Sequence, residues 1–377
     1  MNTEKTALNF KKIPIARPFI GDEETEAVNK VLKSGIIAQG SRVANLEEKF
    51  AKLCNVKYAV AVNSGTAALH AALNAADVGQ GDEVITTPFT FIATANTILM
   101  QNAKPVFADV MEDTFNINPD EIKDKVTEKT KAIVAVDLYG HLCDYDEINQ
   151  IAGKNKIPII EDACQAVNAE HNGKKAGSFG DMAAFSFYAT KNITCGEGGI
   201  VTTDNQDYAE NIKLFRQHGR SKMSAYEYVN LGYNYRMTDI SAAMLLEQIK
   251  KIGFITEKRI ENAAYLSEGL GKIKGISVPV IKRGFKHAFN QYTIKIDDGF
   301  KLEREDLIEH LNEKGISSAV YYPKPLHLCE HFRKLGYKEG DFPVAEKLSR
   351  QVLSLPVHPH VTKEQLDLII NAFGELE

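Results

Sequence analysis

A single lysine stands between an apolar run and a glycine-rich segment in this chain. Residues 183–190 are mostly apolar, Lys191 follows them, and Gly-Glu-Gly-Gly begins at Gly196. A lysine at the end of a buried strand loses solvation, so the pKa of its amine falls. A neutral amine can form a Schiff base with an aldehyde, which is how enzymes hold pyridoxal phosphate (PLP). An isolated lysine is more often a surface residue, so the prediction depends on further groups that PLP requires.

A carboxylate in a suitable place lies upstream. Residues 157–162 form a short β-branched run that ends in Glu161 and Asp162 and predicts a buried strand. Ligands of α/β sheets bind beyond the carboxyl ends of the strands. A carboxylate there can pair with a protonated pyridine nitrogen, and that charge makes the ring an electron sink. A helix cap or a solvated acid is the ordinary alternative for Asp162, but Lys191 downstream favours the cofactor role.

Two further segments could hold the phosphate and the ring. The sequence Asn-Ser-Gly-Thr-Ala-Ala follows a predicted strand and opens an alanine-rich helix, where free N–H groups and hydroxyls form an anion site. An ordinary Ser or Thr cap is the alternative. In Thr-Thr-Pro-Phe-Thr-Phe, the first aromatic residue, Phe89, is predicted to stack on the pyridine ring, with a core phenylalanine as the alternative.

The order of these motifs resembles the DegT/DnrJ/EryC1/StrS family. The resemblance covers residues 15–373 and includes Glu-Asp-Ala-Cys-Gln-Ala, Ser-Phe-Tyr-Ala-Thr-Lys-Asn and Gly-Tyr-Asn-Tyr-Arg-Met. Members of this family are PLP enzymes of fold type I, and most are sugar-nucleotide aminotransferases. The resemblance therefore implies an α/β, aspartate-aminotransferase-like fold and transfer of an amino group from an amino acid, L-glutamate by analogy, to a keto sugar nucleotide.

The resemblance also implies individual roles. Lys191 is expected to carry the Schiff base, Asp162 to meet the pyridine nitrogen, and Gln165 to lie near the ring hydroxyl. The cofactor contacts implied as a set are Ser64, Gly65, Thr66, Phe89, Asp162, Gln165, Ser186, Lys191 and Asn234. Asn234 resembles the residue that a neighbouring subunit offers to the phosphate, which implies a homodimer with shared sites. The expected substrate contacts are Tyr188, Asn192, Arg236 and His327.

Other activities on this fold remain open at this point. A branch of the family has histidine in place of the lysine and acts as a dehydratase, and Lys191 favours transamination instead. A non-catalytic regulator is a third reading, which the intact set of cofactor residues and the lack of any helix-turn-helix extension disfavour. The Gly-Glu-Gly-Gly ending resembles members that aminate C4 of the hexose, with amination of a 3-keto sugar nucleotide as the alternative.

The composition of the chain disfavours nucleic-acid-binding and membrane-spanning proteins. The chain has 377 residues, 44% of them hydrophobic and 25% charged, with a net charge of −5 and five irregularly spaced cysteines. Nucleic-acid binding would predict a basic excess, and no apolar run is long enough to span a bilayer. The sequence predicts a cytoplasmic enzyme with free thiols. The cluster of His327, Cys329 and His331 has a spacing seen in metal sites, but no further ligands complete a set, and no metal site is expected.

The elements that must position these residues alternate between strand and helix. Strands are predicted near 58–62, 83–86, 104–108, 131–136, 157–161, 182–188 and 199–203, with helices between most of them. This alternation is typical of an α/β domain with a largely parallel sheet. The predicted domains are a tail at 1–14, a large PLP-binding domain at 15–255 and a smaller α+β domain at 256–377.

Overall fold

The computed structural model describes residues 12–221 and 226–376. Within them the strands, in chain order, are β1 (Tyr58–Val62), β2 (Glu83–Thr86), β3 (Lys104–Phe107), β4 (Thr130–Val136), β5 (Ile159–Asp162), β6 (Glu170–His171), β7 (Lys174–Lys175), β8 (Met182–Ser186), β9 (Gly199–Thr203), β10 (Ile276–Ser277), β11 (Phe285–Lys286), β12 (Tyr292–Ile296) and β13 (Val352–Leu355). The largest sheet of the described residues has seven strands in the order β1-β9-β8-β5-β4-β2-β3.

The large sheet is mostly parallel. Strands β3, β2, β4, β5 and β8 run in one direction, and β9 is antiparallel to both β8 and β1. The expected α/β class with a mixed, mostly parallel sheet is confirmed. Because β1, β5 and β8 share a direction, their carboxyl ends meet at one edge of the sheet. The residues that follow Val62, Asp162 and Ser186 are thereby brought together.

Helices cover the sheet and form much of the C-terminal part of the chain. They are α1 (Asp22–Ser34), α2 (Ser41–Cys54), α3 (Gly65–Ala75), α4 (Ala93–Met100), α5 (Pro119–Lys125), α6 (Tyr145–Asn155), α7 (Gln206–Phe215), α8 (Asp239–Leu270), α9 (Arg304–Glu313), α10 (Glu330–Arg333), α11 (Pro343–Gln351) and α12 (Lys363–Gly374). The alanine-rich α3 is almost wholly buried, because its small side chains allow close packing on the sheet. Among the described residues, none of these helices is long and apolar enough to cross a membrane.

Helix α8 joins the two parts of the chain. The sequence predicts a helix from Thr238 to Lys251 and a second one after residue 257, but the structure has one continuous helix of 32 residues. Thr238 caps its start by accepting a hydrogen bond from the Ser241 N–H at 3.1 Å. Ile255 packs in the core below the large sheet, whereas Ala263 packs in the core of the C-terminal part. The domain boundary after residue 255 therefore falls inside a helix and stays a prediction.

The C-terminal part has a small sheet of its own. Its strand order is β10-β12-β13, and both pairs are antiparallel. The sequence also predicts a strand at 316–321, and this prediction is wrong, because the segment contributes only isolated bridges, including one from Ile316 to Ile13. A second bridge joins Ala319 to Ser354 of β13, so the segment lies beside that strand without forming a ladder along it. Most of the predicted tail at 1–14 lies outside the described residues, but Ile13 is buried and hydrogen-bonds to Gly315.

Candidate active site

Lys191 lies in a turn just beyond β8. Its N–H donates a hydrogen bond to the carbonyl oxygen of Tyr188 at 2.9 Å, which closes the turn. Burial lowers the pKa of the lysine amine, and interactions with Cys164 and Asp162 partly offset that effect. Strand β5, which ends at Asp162, pairs directly with β8, so neighbouring strands bring the amine and the carboxylate together. A lower pKa enlarges the fraction of neutral amine, the form that attacks an aldehyde.

Asp162 is held firmly at the end of β5. It is 4% exposed, and its Oδ2 accepts a hydrogen bond from the Thr94 hydroxyl at 2.7 Å. Its Oδ1 accepts a longer one from the Cys164 N–H at 3.3 Å. Each carboxylate oxygen has two lone pairs, so these bonds leave acceptor capacity for a further donor. A protonated ring nitrogen is a donor of that kind.

The start of α3 forms a cradle against β8. Ser64 is the N-cap and accepts a hydrogen bond from the Ala67 N–H at 3.1 Å. By helix geometry, the N–H groups of Gly65 and Thr66 lack intrahelical partners and are available to an anion. A Cβ on Gly65 would lie 2.7 Å from the Ser186 Cβ, so only glycine permits this approach. The close approach brings the start of α3 next to the Ser186 hydroxyl, so that this hydroxyl and the free N–H groups of the helix can bind one phosphate together.

Gln165 extends the site on the side of the C-terminal domain. Its Oε1 accepts a hydrogen bond from the Tyr139 N–H at 3.0 Å, and its Nε2 donates to the Tyr322 hydroxyl at 3.3 Å. The side chain is 6% exposed. The amide is therefore fixed at both ends, close to the strand that ends at Asp162.

The aromatic residue available to a ring is Phe91, not Phe89. Phe89 is fully buried in a hydrophobic cluster and has no free face, so the expected stacking role for Phe89 does not fit the structure. Phe91 is 56% exposed, and its ring centre lies 6.4 Å from that of Tyr322. Thr94, three residues further along the chain, donates a hydrogen bond to Asp162. Two phenylalanines spaced two apart differ in environment here, a distinction that their residue type cannot reveal.

The expected substrate residues divide into two groups. Tyr188 is 47% exposed and Arg236 is partly exposed, so both can meet a ligand. Asn192 is buried and donates to the Ala288 carbonyl at 2.9 Å, which ties the loop after Lys191 to the rest of the chain. His327 is fully buried and bonded to Glu346 at 2.9 Å. A direct substrate contact by the fully buried His327 therefore does not fit the structure, whereas one by Asn192 stays a prediction.

Asn234 is exposed on a loop near the cradle. Its backbone carbonyl accepts a hydrogen bond from the Asn63 side chain at 3.2 Å, and the carbonyl of Tyr235 accepts one from the Asn63 N–H at 2.9 Å. Asn63 directly precedes the helix cap Ser64. The loop is thus anchored beside the site of its own chain, and a contact with a partner's phosphate stays a prediction.

Histidines with metal-like spacing are used for other contacts. His327 bonds to Glu346, and His331 contacts the Asn96 side chain at 3.1 Å. In the part of the chain that the structure describes, no three His, Cys, Asp or Glu residues are grouped as a metal site would require.

Comparisons with known proteins place this arrangement in a family. The sequence model of the DegT/DnrJ/EryC1/StrS aminotransferase family matches residues 18–374. The chain belongs to this family. The predicted resemblance and the predicted enzyme class, a PLP-dependent aminotransferase, are both confirmed.

Individual relatives are similar over nearly their whole length. The spore coat polysaccharide biosynthesis protein SpsC of Bacillus subtilis is 38% identical over 97% of both chains. GDP-perosamine synthase of Caulobacter vibrioides is 35% identical over 98% of this chain and 99% of its own. The crystal structure of S. venezuelae DesV in complex with a ketimine intermediate superposes with a TM-score of 0.90 and 34% identity, covering 94% of each chain. The names of the Bacillus and Caulobacter proteins refer to the biosynthesis of a polysaccharide and of GDP-perosamine.

Proposed function

We propose that this enzyme moves an amino group from an amino acid, with L-glutamate as donor, to C4 of a nucleotide-linked keto hexose. The observation that carries the proposal is the partly buried Lys191, whose amine interacts with Asp162, together with the neighbouring cradle of Gly65 and Ser186. The relatives, among them a GDP-perosamine synthase and a spore coat polysaccharide protein, support a sugar nucleotide as acceptor. Amino-sugar formation for a surface polysaccharide is the corresponding cellular role. The five free cysteines fit the proposed cytoplasmic location.

The residues of the site fit PLP as the cofactor. Bound PLP supplies an aldehyde for the lysine and a ring that accepts electrons when a substrate C–H bond breaks. Lys191 Nζ would hold PLP through its aldehyde and, when free, would move a proton to and from the substrate carbon. Asp162 keeps the ring nitrogen protonated by an opposite charge at short range. The N–H groups of Gly65 and Thr66, with the Ser186 hydroxyl, hold the phosphate.

Phe91 is proposed as the ring contact in place of Phe89. We expect Phe91→Ala to weaken PLP binding about tenfold, because stacking adds roughly 0.5–1.5 kcal/mol to the buried apolar area. The thermal stability of the cofactor-free protein should change little, since this side chain is 56% exposed. Phe89→Ala, by contrast, should lower stability by about 3–5 kcal/mol because it leaves a cavity in the core.

PLP titration of the cofactor-free protein and thermal melting measure both effects. Unchanged PLP affinity in Phe91→Ala would contradict the assignment. The assignment would also be contradicted if Phe89→Ala bound PLP more weakly while its thermal stability stayed unchanged.

The substrate assignment needs a direct assay. Purified protein with glutamate should aminate a nucleotide 4-keto hexose from a panel of nucleotide 3-keto and 4-keto sugars, with formation of 2-oxoglutarate. Amination of 3-keto substrates alone would move the reaction to C3. Turnover of a keto sugar without any amino donor would identify a dehydratase.

We propose a homodimer with shared sites because the loop before Asn234 exposes several apolar side chains. Tyr228, Val229 and Leu231 are large apolar residues that are 59%, 54% and 74% exposed. Exposed apolar residues in sequence often mark a protein interface. A symmetric dimer would cover them and could direct Asn234 toward the neighbouring phosphate cradle.

Mixing two inactive variants tests the shared sites. In a mixed dimer of Lys191→Ala and Asn234→Ala subunits, shared sites would give one site with both changes and one with neither. We therefore expect activity to reappear when the two subunits exchange. If each chain builds its own site, every site in the mixed dimer keeps one change. No recovery in verified mixed dimers, with Asn234→Ala impaired alone, would show that sites are not shared.

A further inference from the structure

The backbone N–H of Tyr139 determines which way the side-chain amide of Gln165 is oriented. The backbone N–H of Tyr139 lies 3.0 Å from Gln165 Oε1, and a backbone N–H can only donate. The atom that faces it must be the amide oxygen, so the alternative flip of the amide would place two donors together. The Gln165 amino group consequently faces the other way, toward the Tyr322 hydroxyl at 3.3 Å.

Tyr322 is itself fixed from several directions. Its ring meets that of Phe89 edge-on with centres 6.3 Å apart. The preceding residue, Tyr321, accepts a hydrogen bond through its carbonyl from the Tyr139 hydroxyl. Further along, the Leu326 N–H donates to the Pro88 carbonyl at 2.7 Å. The hydroxyl of Tyr322 is thus a fixed acceptor that the C-terminal part of the chain presents to Gln165.

We propose that Tyr322 is a positioning residue, whose hydroxyl accepts one Gln165 N–H so that the second points to the ring oxygen of PLP. The inference rests on the proposed function, because it requires PLP on Lys191. An amide carries two N–H donors, and the Tyr322 hydroxyl uses one of them. Tyr322 therefore acts on the cofactor through Gln165 and needs no contact of its own with the reacting atoms.

This arrangement has a consequence for the proton on the Schiff base. The ring oxygen of PLP can accept a hydrogen bond from the protonated Schiff-base nitrogen. A second donor to that oxygen weakens its attraction for the Schiff-base proton and lowers the pKa of the Schiff base. If Gln165 loses its orientation, that pKa should rise. A purely structural hydrogen bond between Tyr322 and Gln165 would leave it unchanged.

The test is a pH titration of the visible absorbance of the PLP-loaded enzyme. Four proteins are compared: wild type, Tyr322→Phe, Gln165→Leu and the double variant. We expect Tyr322→Phe to raise the Schiff-base pKa by about half to one unit, or roughly threefold to tenfold in proton affinity, as for one hydrogen bond. Gln165→Leu should raise it at least as much, and the double variant should match Gln165→Leu alone.

Tyr321, the residue directly before Tyr322, provides a matched control. Among the described residues, the hydroxyl that accepts the Gln165 hydrogen bond is that of Tyr322 and not that of Tyr321, so Tyr321→Phe should leave the midpoint in place. Phenylalanine at position 322 keeps the ring packed on Phe89, and thermal melting verifies the fold. An unchanged Schiff-base pKa in Tyr322→Phe would overturn the inference. So would a Tyr322→Phe substitution that raises this pKa by the same amount in wild type and in Gln165→Leu. A wild-type protein without a PLP absorbance band would instead overturn the proposed function itself.

Discussion

Lys191→Ala should abolish transamination almost completely. The change removes the amine that binds the cofactor aldehyde and the base that moves the substrate proton. General acid–base catalysis alone contributes about 10²–10⁴-fold, so we expect the rate to fall by at least about 10³-fold. Measurement of 2-oxoglutarate release from glutamate, with the enzyme in excess PLP, quantifies the loss.

Two controls separate chemistry from folding. Lys154 is exposed on α6, and Lys154→Ala should retain wild-type turnover. A small primary amine added to Lys191→Ala should restore part of the activity, because it can take up the proton that the lysine would have moved. A Lys191→Ala protein that turns over glutamate near the wild-type rate would show that another group acts as the base.

Asp162→Asn should give an enzyme that still binds PLP but turns over slowly. The substitution keeps the size of the side chain and removes the charge that keeps the pyridine nitrogen protonated. We expect turnover to fall about 10²–10³-fold, the effect typical of losing one preorganised electrostatic group. Steady-state rates and the absorbance of the bound cofactor should be measured on the same preparation.

Thr94→Val is the matched variant for this experiment. It removes the hydrogen bond of 2.7 Å to Asp162 but leaves the carboxylate charge in place. Its turnover should therefore fall much less than that of Asp162→Asn. Equal losses in the two variants would indicate that geometry, and not charge, is what Asp162 contributes. Wild-type turnover in Asp162→Asn would mean that another group holds the ring proton.

The strand ends could be predicted from sequence because their signal is local. A β-branched run up to Asp162 and an apolar run at 182–188 predict strands, which the structure has at Ile159–Asp162 and Met182–Ser186, and the carboxyl ends of parallel strands share an edge. Lys191 follows the second of these strands, and the small residues around Gly65 mark the start of a helix against it. The close approach of Gly65 to Ser186 explains in physical terms why a glycine stands there.

Side-chain environments could not be read in this way. Phe89 and Phe91 are the same residue type in one loop, and only packing makes one buried and the other exposed. His327 sits in a motif expected at the substrate pocket, yet its ring bonds to Glu346 of α11, 19 residues later in the chain. Thr94 and Tyr139 support Asp162 and Gln165 through single hydrogen bonds, for which the sequence gives no signal.

The predicted boundaries of strands and helices were wrong where tertiary contacts outweigh the local preference of the sequence. Residues 316–321 have a strand-like composition, but they pair with β13 through Ala319 and with residue Ile13 through Ile316, so they form two bridges and no strand. Helix α8 continues past Lys251 because its two halves pack in different cores, which stabilises the middle of the helix. Neither contact can be inferred from a short stretch of sequence.

Borohydride reduction followed by peptide mapping tests the central claim most directly. Reduction converts a Schiff base into a stable secondary amine, so PLP should remain attached to the peptide that contains Lys191 after digestion. The protein should be yellow before reduction and should lose its visible band afterwards. Attachment of the cofactor to a different lysine, or no attachment in a protein saturated with PLP, would contradict the account of this site.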